Sequence, residues 1–285
     1  MTKFLPLAEA VARHLSDGDS AAFEGFTHLI PTAAAHEAIR QGFKELTLIR
    51  MTPDLIYDQM VGMSMVRKMV FSYIGNPGVG LLRRSRDAME NGWPRTFEVE
   101  EYSHAAMANA WEAGAAGLPM AVFRGYHQAG LGEVNPNIRS VTCPFTGEVL
   151  AAVPSVRPDV TFIHAQKADR KGNVLIEGII GIQKEVVLAA KRAVATVEEV
   201  VDSFDDLHPN LTVLPHWALD AISVVPGGAH PSYTHGYYAR DNAAYIEWDE
   251  ASADRDRFAE WMKANVLDVG AEIFAERVKS LRIGK

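Results

Sequence analysis

Apolar and polar residues follow two alternating periods along the first 117 residues of the chain. Stretches with helical spacing, such as LAEAVARHL (7–15) and PTAAAHEAIRQG (31–42), take turns with short apolar runs, such as SAAFEG (20–25) and ELTLI (45–49). Strands that alternate with helices of about ten residues are typical of βαβ units, whose strands pair in parallel. We therefore predict an α/β fold in which an open, mostly parallel sheet is flanked by helices.

The pattern changes between about residues 124 and 147, where Gly, Asn and Pro are frequent and neither period continues. Strand-like runs resume at EVLAAV (148–153) and DVTFIHA (159–165), and the tail from residue 252 onward is charged, with helical spacing. Connections this long inside a compact domain are usually functional or interfacial. Because no repeat, low-complexity tract or clear linker interrupts the chain, we predict a single domain, 1–285, with a long loop excursion at about 124–147.

Composition and charge narrow the class of protein. The 285 residues are 48% apolar and carry a net charge of −8, and no basic run could follow a phosphate backbone, so we expect no nucleic acid partner. One cysteine, Cys143, allows no intrachain disulfide and indicates a reducing compartment. The N-terminal stretch lacks the cleavage site of a secretory signal, and no window reaches the roughly 18 apolar residues of a membrane span. We expect a cytoplasmic protein with no membrane partner.

Two glycine-containing loops follow predicted strands, at the edge where open α/β sheets bind ligands. In EGFTHLIP (24–31), Gly25 permits close approach of the backbone, and the helix that follows offers free N–H groups to an anion. In SYIGNPGVG (72–80), glycines surround Asn76, whose amide can both donate and accept hydrogen bonds. Each loop has a structural alternative: a tight turn for the first and a glycine-rich turn before a helix for the second. The first loop matches neither a Walker loop nor a dinucleotide fingerprint.

A third loop, EEYSH (100–104), places a hydroxyl group and a histidine at a helix start. Ser103 is the expected N-cap residue, and His104 falls in the first helical turn, where a neutral imidazole can donate one hydrogen bond to a carbonyl oxygen. The alternative is a surface histidine without a functional role. A fourth loop, GGAHPSYTHGYY (227–238), has two histidines five residues apart but no carboxylate or cysteine, so we predict no metal site.

Together these stretches resemble, in order, the A (α) subunit of the family I coenzyme A transferases, with glutaconate coenzyme A-transferase as the nearest pattern. The likeness extends from about residue 5 to residue 250. It is carried by GDSAAFEGFTHLIPTAAAHEAIRQGFKELTLI, FSYIGNPGVG, EEYSHAAMANAWEAGAAGLPM, VRPDVTFIHAQKADRKGNV and VVPGGAHPS. The HAQKAD run with its following GN, after an apolar strand, is the most specific piece. The resemblance implies the open, mostly parallel sheet of that family's subunits.

The resemblance also implies an activity shared between two subunits. Members of the family move coenzyme A between an acyl thioester and a free carboxylate, and they work as paired A and B subunits. The nucleophile is a glutamate of the B subunit in a Ser-Glu-Asn-Gly-like motif, which forms an acyl anhydride and then a glutamyl thioester with coenzyme A. In this chain the similar MENGW (89–93) lacks the serine, and its Gly92 is expected to end a helix. We therefore expect a hetero-oligomer with a B subunit, with acyl-CoA and a carboxylate as substrates, coenzyme A as co-substrate and no tightly bound cofactor.

The resemblance assigns substrate-binding roles to residues of the first three loops. These residues are Gly25, Phe26, Thr27 and His28 in the loop that faces the acyl group, Ser72, Gly75 and Asn76 in the second loop, and Ser103 and His104 in the third. In related chains the position of His104 often carries glutamine. The resemblance therefore implies that His104 is a catalytic hydrogen-bond donor to the thioester oxygen.

Two other functions stay open at this point. One is a hydrolase of coenzyme A thioesters from the same superfamily, including the ring-opening kind found in steroid breakdown, in which some members place an acid or base near the position of His104. The other is a ligand-sensing protein on the same fold, although the chain shows no extra domain for it. A neighbouring B-like sequence with Ser-Glu-x-Gly would favour the transferase. The sequence does not indicate the acyl group, the carboxylate acceptor or the size of the oligomer.

Overall fold

The computed structural model describes residues 3–126, 130–204, 207–208 and 210–283, and most of its strands belong to one nine-stranded sheet. A second sheet has three strands. In chain order the strands are β1 (Ser20–Glu24), β2 (Leu46–Ile49), β3 (Val66–Phe71), β4 (Glu98–Glu101), β5 (Met120–Phe123), β6 (Arg139–Thr142), β7 (Val149–Pro154), β8 (Val160–Asp169), β9 (Val174–Glu177), β10 (Ala193–Val201), β11 (Leu211–Leu214) and β12 (Ala221–Val224).

The core of the large sheet is parallel throughout. Its strands lie in the order β4, β3, β2, β1, β8, β10, β12, and every neighbouring pair in that order is parallel. β1 and β8 are buried along almost their whole length, as expected of central strands covered by helices on both faces. The predicted α/β fold with an open, mostly parallel sheet is confirmed.

Helices cover the sheet, and their ends follow the chemistry predicted from the sequence. In chain order they are α1 (Leu7–His14), α2 (Thr32–Gln41), α3 (Leu55–Gly62), α4 (Arg83–Asn91), α5 (His104–Ala115), α6 (Leu131–Val134), α7 (Gln183–Ala189), α8 (Asn242–Ser252), α9 (Arg255–Met262) and α10 (Ile273–Arg277). Gly42 and Gly92 end α2 and α4 in the left-handed conformation, with φ of 75° and 71°. Left-handed residues at this position are adopted most readily by glycine. None of the helices in the described ranges is long and apolar enough to cross a membrane.

The HAQKAD segment belongs to the longest strand of the sheet. β8 extends beyond the end of β1, and its last residues turn through DRKGN into the antiparallel strand β9. Asp169 closes this turn by accepting hydrogen bonds from the backbone N–H and the side-chain amide of Asn173, at 2.9 and 2.6 Å. The carboxylate therefore fixes the turn, as expected for an Asx-type turn residue.

The excursion predicted at 124–147 contains regular structure that the sequence pattern did not reveal. It includes α6 and β6, and β6 pairs antiparallel with β7, which also pairs with β5, so the three strands form the small sheet. Residues 127–129 of the excursion lie outside the described residues. β7 corresponds to the predicted run EVLAAV (148–153), whereas β5 and β6 are only four residues long, which explains why their pattern was weak.

The C-terminal part of the chain packs over α2 and α3. The helical tail predicted from residue 252 begins earlier, because α8 starts after Asp241, whose side chain accepts a hydrogen bond from the N–H of Ala244. Trp248 of α8 and Phe258 of α9 belong to the same buried core cluster as α2 and α3. This layer therefore shields one face of the parallel sheet. The single-domain assignment stays a prediction.

Candidate functional site

The predicted site residues lie on loops at one edge of the large sheet. β1, β2, β3 and β4 are parallel neighbours, so their carboxyl ends meet at the same edge. Neighbouring strands are about 4.8 Å apart, so the edge from β1 to β4 extends over roughly 14 Å. This length suits an extended ligand better than a single compact group.

The loop after β1 is held in a shape that glycine makes possible. A Cβ atom on Gly25 would lie 2.5 Å from the backbone oxygen of Leu29 and 2.8 Å from that of His28. Thr27 and Leu29 both adopt positive φ, at 63° and 54°, which is uncommon for residues other than glycine. The loop therefore curls back on itself immediately after the strand.

His28 anchors this loop to the interior of the protein and does not face solvent. Its ring is fully buried, stacks on Tyr233 with centroids 4.8 Å apart, and donates from Nε2 to the backbone oxygen of Ile179. The N–H of Leu29 donates to the backbone oxygen of Tyr233 at 3.1 Å. Burial lowers the pKa of His28, so the ring is neutral. The position of His28 supports a role in fixing the loop, whereas the resemblance implied direct contact with the acyl group.

A buried arginine, which the sequence analysis did not single out, supports the loop from the other side. Arg50 follows β2, and its Nη2 donates to the backbone oxygen of Gly25 at 2.6 Å, while Nη1 lies 2.9 Å from Oδ1 of Asp54. Glu24, the last residue of β1, lies 3.8 Å from Nε of the same guanidinium. Burial raises the pKa of Glu24 to about 7, although Arg50 acts in the opposite direction. The signal was present in the sequence as a charged residue at the end of each of two apolar strands.

Fixed in this way, the loop presents Phe26 and Thr27 outward. Thr27 is exposed and Phe26 is half-buried, packed so close to Gly181 that a Cβ there would lie 2.6 Å from the Cβ of Phe26. Within the described residues, the backbone N–H groups of Phe26 and Thr27 have no hydrogen-bond partner. Preorganised N–H groups of this kind can stabilise negative charge that develops on an oxygen.

The residues of the second loop are tied mainly to their own surroundings. The Ser72 hydroxyl donates to the backbone oxygen of Met51 at 2.7 Å, and the N–H of Gly75 donates to that of Pro53 at 3.2 Å. Asn76 is buried, and its amide donates to the backbone oxygen of Tyr245 at 3.1 Å. These bonds join the loops after β2 and β3 and tie them to α8. Ligand contact by the Asn76 side chain stays a prediction.

The third loop brings Ser103 and His104 to the start of α5. The Ser103 hydroxyl accepts a hydrogen bond from the N–H of Ala106 at 3.2 Å, which confirms it as the N-cap residue. Its own N–H donates to the Tyr126 hydroxyl at 2.6 Å. His104 is the first residue of the helix and is exposed. An exposed donor at this edge is free to meet a ligand, and its catalytic role stays a prediction.

The fourth loop supports the first and contains no metal cluster. His230 is bonded through Nε2 to Asp241 at 2.9 Å, and the described residues contain no group of three or more His, Cys, Asp or Glu side chains that could hold a metal ion. His164 of the HAQKAD segment is bonded to Glu198 at 2.8 Å, and Glu198 accepts the N–H of Gly227 at 2.8 Å. The HAQKAD segment therefore helps to fix the fourth loop. Tyr233 of the fourth loop in turn contacts the loop after β1 through the N–H of Leu29 and the ring of His28.

Known proteins match the chain along its whole length. The family model of coenzyme A transferases matches residues 5–224. The A subunit of the 3-oxoadipate CoA-transferase of Pseudomonas knackmussii is 58% identical over 285 residues, which is 100% of both chains. The crystal structure of glutaconate coenzyme A-transferase from Acidaminococcus fermentans matches 99% of this chain and 96% of its own, with a TM-score of 0.89 and 29% identity. A cholesterol ring-cleaving hydrolase IpdA subunit of Mycobacterium tuberculosis is 29% identical over 171 residues, 55% of this chain and 57% of its own.

These matches agree with the architecture and with the loops at the edge of the sheet. The nine-stranded, mostly parallel sheet flanked by helices is the fold of the glutaconate enzyme. Relatives that are named as one lettered subunit of an enzyme imply a second subunit in a hetero-oligomer. The family's reaction uses coenzyme A as a substrate. The chain belongs to the coenzyme A transferase family, as the A subunit of a CoA-transferase.

Proposed function

We propose that this chain works with a B subunit on a 3-oxo dicarboxylate of the size of 3-oxoadipate, moving coenzyme A between that acid and an acyl thioester. The observation that carries the proposal is the 58% identity to the A subunit of a 3-oxoadipate CoA-transferase over the full length of both chains. Substitutions at this level are spread through a common fold, so the loops that select the acid are expected to be similar. Coenzyme A enters as co-substrate, and no tightly bound cofactor is proposed.

The nucleophilic glutamate is supplied by the B subunit in this proposal. The similar segment of this chain is unsuited to the task, because Glu90 lies in α4, where its carboxylate pairs with Arg86 at 2.7 Å, and Gly92 ends the helix. Attack by a carboxylate on a thioester places negative charge on the thioester oxygen, and later steps pass through a glutamyl thioester. Each step requires donors for that charge and a wall that holds the acyl chain.

This chain supplies those donors and that wall. The free N–H groups of Phe26 and Thr27 and the imidazole of His104 are the proposed donors, and Phe26 with Gly25 forms the acyl wall. The neighbouring loops are held in place beside this wall by hydrogen bonds of Ser72, Gly75, Asn76 and Ser103. Because the donors are in place before the reaction, they stabilise the transition state without reorganising.

A hydrolase of coenzyme A thioesters is the weaker alternative. The ring-cleaving relative matches only 55% of this chain at 29% identity, against 100% at 58% for the transferase relative. A hydrolase also requires a group that activates water, and the exposed edge of this chain offers His104 alone among its predicted site residues. The same position serves equally as a donor in a transferase.

Co-expression with the neighbouring B-like protein tests the proposal. We expect the purified complex to transfer coenzyme A from a dicarboxylic acyl-CoA, such as succinyl-CoA, to 3-oxoadipate. The matched acceptor 3-oxohexanoate lacks the second carboxylate, and kcat/KM for it should be at least about tenfold lower, since an unpaired site group costs more than about 1.4 kcal/mol. Release of free coenzyme A without a carboxylate acceptor would favour the hydrolase, and equal use of both acceptors would overturn the dicarboxylate assignment.

A further inference from the structure

A cavity of about 240 Å³ lies beneath the C-terminal helices, and residues of the fourth loop, but none of the first three loops, line it. It is lined by α2, α3, α8 and α9, the segment 230–231 and the residues around Arg277, and it is partly open to solvent. None of the nine predicted site residues lines it. A cavity of about 150 Å³ can hold benzene, which has six non-hydrogen atoms, so this one has room for a ligand of roughly eight to ten.

One wall carries a buried hydrogen-bond acceptor without a partner. His36 of α2 is buried, and its Nε2 lies 2.9 Å from Oε1 of Gln59, which can only accept, so Nε2 carries the proton. Burial and the positive charge of Arg277 lower the pKa of His36 to about 3, so the ring is neutral. Its Nδ1 therefore accepts hydrogen bonds, and within the described residues nothing donates to it. An unpaired buried acceptor is unfavourable, and a ligand that donates a hydrogen bond to it removes that cost.

The guanidinium group of Arg277 lines the cavity and has no described carboxylate in contact with it. Nη2 of Arg277 donates to the backbone oxygen of Asn265 at 2.9 Å, and no described carboxylate lies within ion-pair distance of the guanidinium. Burial lowers the pKa of Arg277, while the negative charge of Glu247 acts in the opposite direction without forming an ion pair. Nearby Arg40 is different, because Glu37 pairs with it at 2.6 Å. Arg277 is therefore available to an anionic group of a ligand.

Two carboxylates and two tryptophans complete the lining. Glu247 accepts the indole N–H of Trp261 at 2.7 Å, and Asp241 is bonded to His230, so both acidic side chains are held on this side of the cavity. The indole N–H of Trp248 is buried and has no partner within the described residues. A simple anion would be repelled by Glu247 and Asp241, and a simple cation by Arg277. A molecule that carries both a negative and a positive group can pair with Arg277 and with the two carboxylates at the same time.

We propose that this cavity is a binding site for a small aliphatic amino acid, whose carboxylate pairs with Arg277 and whose ammonium group is held by Glu247 and Nδ1 of His36. The ligand's apolar body packs against Leu55, Ile56 and Trp248. The size of the cavity fits valine, which has roughly the eight non-hydrogen atoms that this volume holds. The site is separate from the transferase loops, so the inference holds whichever acyl group the enzyme uses.

Calorimetric titration of the full-length chain, alone and with its B subunit, tests the proposal. The probes are L-valine, isovalerate, which keeps only the carboxylate, and isobutylamine, which keeps only the ammonium. We expect valine to bind at least about tenfold more tightly than either analogue, because each analogue lacks one of the two charge-assisted hydrogen bonds. Arg277→Gln and Glu247→Gln should each weaken valine binding by about tenfold or more. Glu247→Gln keeps an acceptor for the indole N–H of Trp261.

Two further variants separate binding from folding. Arg257→Gln makes the same change on the exposed side of α9, outside the cavity, and should leave valine binding unchanged. Ala244→Phe fills the cavity without altering charge and should abolish binding while circular dichroism shows a folded chain. Absence of valine binding by the wild-type chain would overturn the proposal, and so would isovalerate binding as tightly as valine or valine binding unaffected by Arg277→Gln.

Discussion

At the scale of single residues, the buried carboxyl group of Glu24 makes the stability of the fold depend on pH. Its carboxyl group is buried at the end of β1, within electrostatic reach of Arg50 but without a close ion pair, and one of its oxygens has no partner within the described residues. Burial raises its pKa from an ordinary 4.5 to about 7, because the cost of burying the charge exceeds the attraction of Arg50. The folded chain therefore holds a proton that the unfolded chain has already lost between these two values.

Replacing Glu24 with Gln should change how stability depends on pH. The contribution of Glu24 is full below about pH 4.5 and is lost as pH rises through about 7, so the wild-type free energy of unfolding should fall by on the order of 3 kcal/mol relative to Glu24→Gln across this window. Urea unfolding of both chains at pH 5, 6, 7 and 8 measures the difference. Glu112→Gln, at an exposed position of α5, is the control and should show no such divergence. Parallel pH profiles for wild type and Glu24→Gln would contradict the prediction.

Replacing His104 should lower the turnover number more than it weakens substrate binding. If its ring donates to the thioester oxygen, the bond strengthens as negative charge develops, so His104→Ala should lower kcat by about 10²-fold with a much smaller change in KM. His104→Gln should keep much of the activity, because an amide is a comparable neutral donor. Asn109→Ala, further along α5, serves as control. Unchanged kcat in the alanine variant would show that His104 only begins the helix.

At the scale of elements, the two glycine-containing loops differ in how strictly each glycine is required. Gly25→Ala should destabilise the fold by about 1–3 kcal/mol and lower activity at least tenfold, because the new Cβ meets the backbone oxygen of Leu29 at 2.5 Å. Gly75→Ala should be milder, since the nearest atom is the hydroxyl end of Tyr73, an exposed side chain that can move. Gly80→Ala meets nothing within 4 Å and should be nearly neutral. Thermal melts and kcat/KM of the three variants give the ranking, and equal effects would refute it.

The sequence predicted most elements because their signals are local. Pro31 and Gly42 around α2, Ser103 before α5 and the apolar runs of the parallel strands act within a few residues. β5 and β6 of the small sheet were missed because four-residue strands have little room for a period. The buried roles of His28 and Arg50 were missed for a different reason. The partner of His28 is Tyr233 and the distant partner of Arg50 is the backbone oxygen of Gly25, and both come from separate segments that only the fold brings together.

At the scale of the whole molecule, this chain should have no transferase activity alone. It lacks a nucleophilic glutamate in the required motif, and in covalent catalysis the loss of the nucleophile removes the reaction path itself. We expect turnover of the purified single chain to be indistinguishable from buffer and to appear when the B subunit is added. A preparation made from cells without the B gene is the control for contamination. Turnover that follows the single chain through every purification step would contradict the prediction.

The surface formed by the small sheet and its flanking segment is the strongest candidate for the contact with the B subunit. Phe145 and Val134 are 93% and 76% exposed, and both lie in the excursion expected to be interfacial. Exposed apolar groups on a monomer commonly mark such contacts. The aromatic-rich segment 230–238 is less suited to such a contact, because Tyr238 is buried and Tyr233 packs on His28.

Removing the most exposed aromatic side chain of this surface should therefore weaken assembly. Phe145→Ser should raise the Kd for the B subunit by about tenfold or more, since truncated aromatic anchors often cost over about 1 kcal/mol. Ile246→Ser removes a 51% exposed apolar side chain from α8, on another part of the surface, and should leave the Kd unchanged. Titration calorimetry with the purified B subunit measures both values. If Phe145→Ser and the wild type bound the B subunit with equal affinity, the contact would have to lie on another face of the molecule.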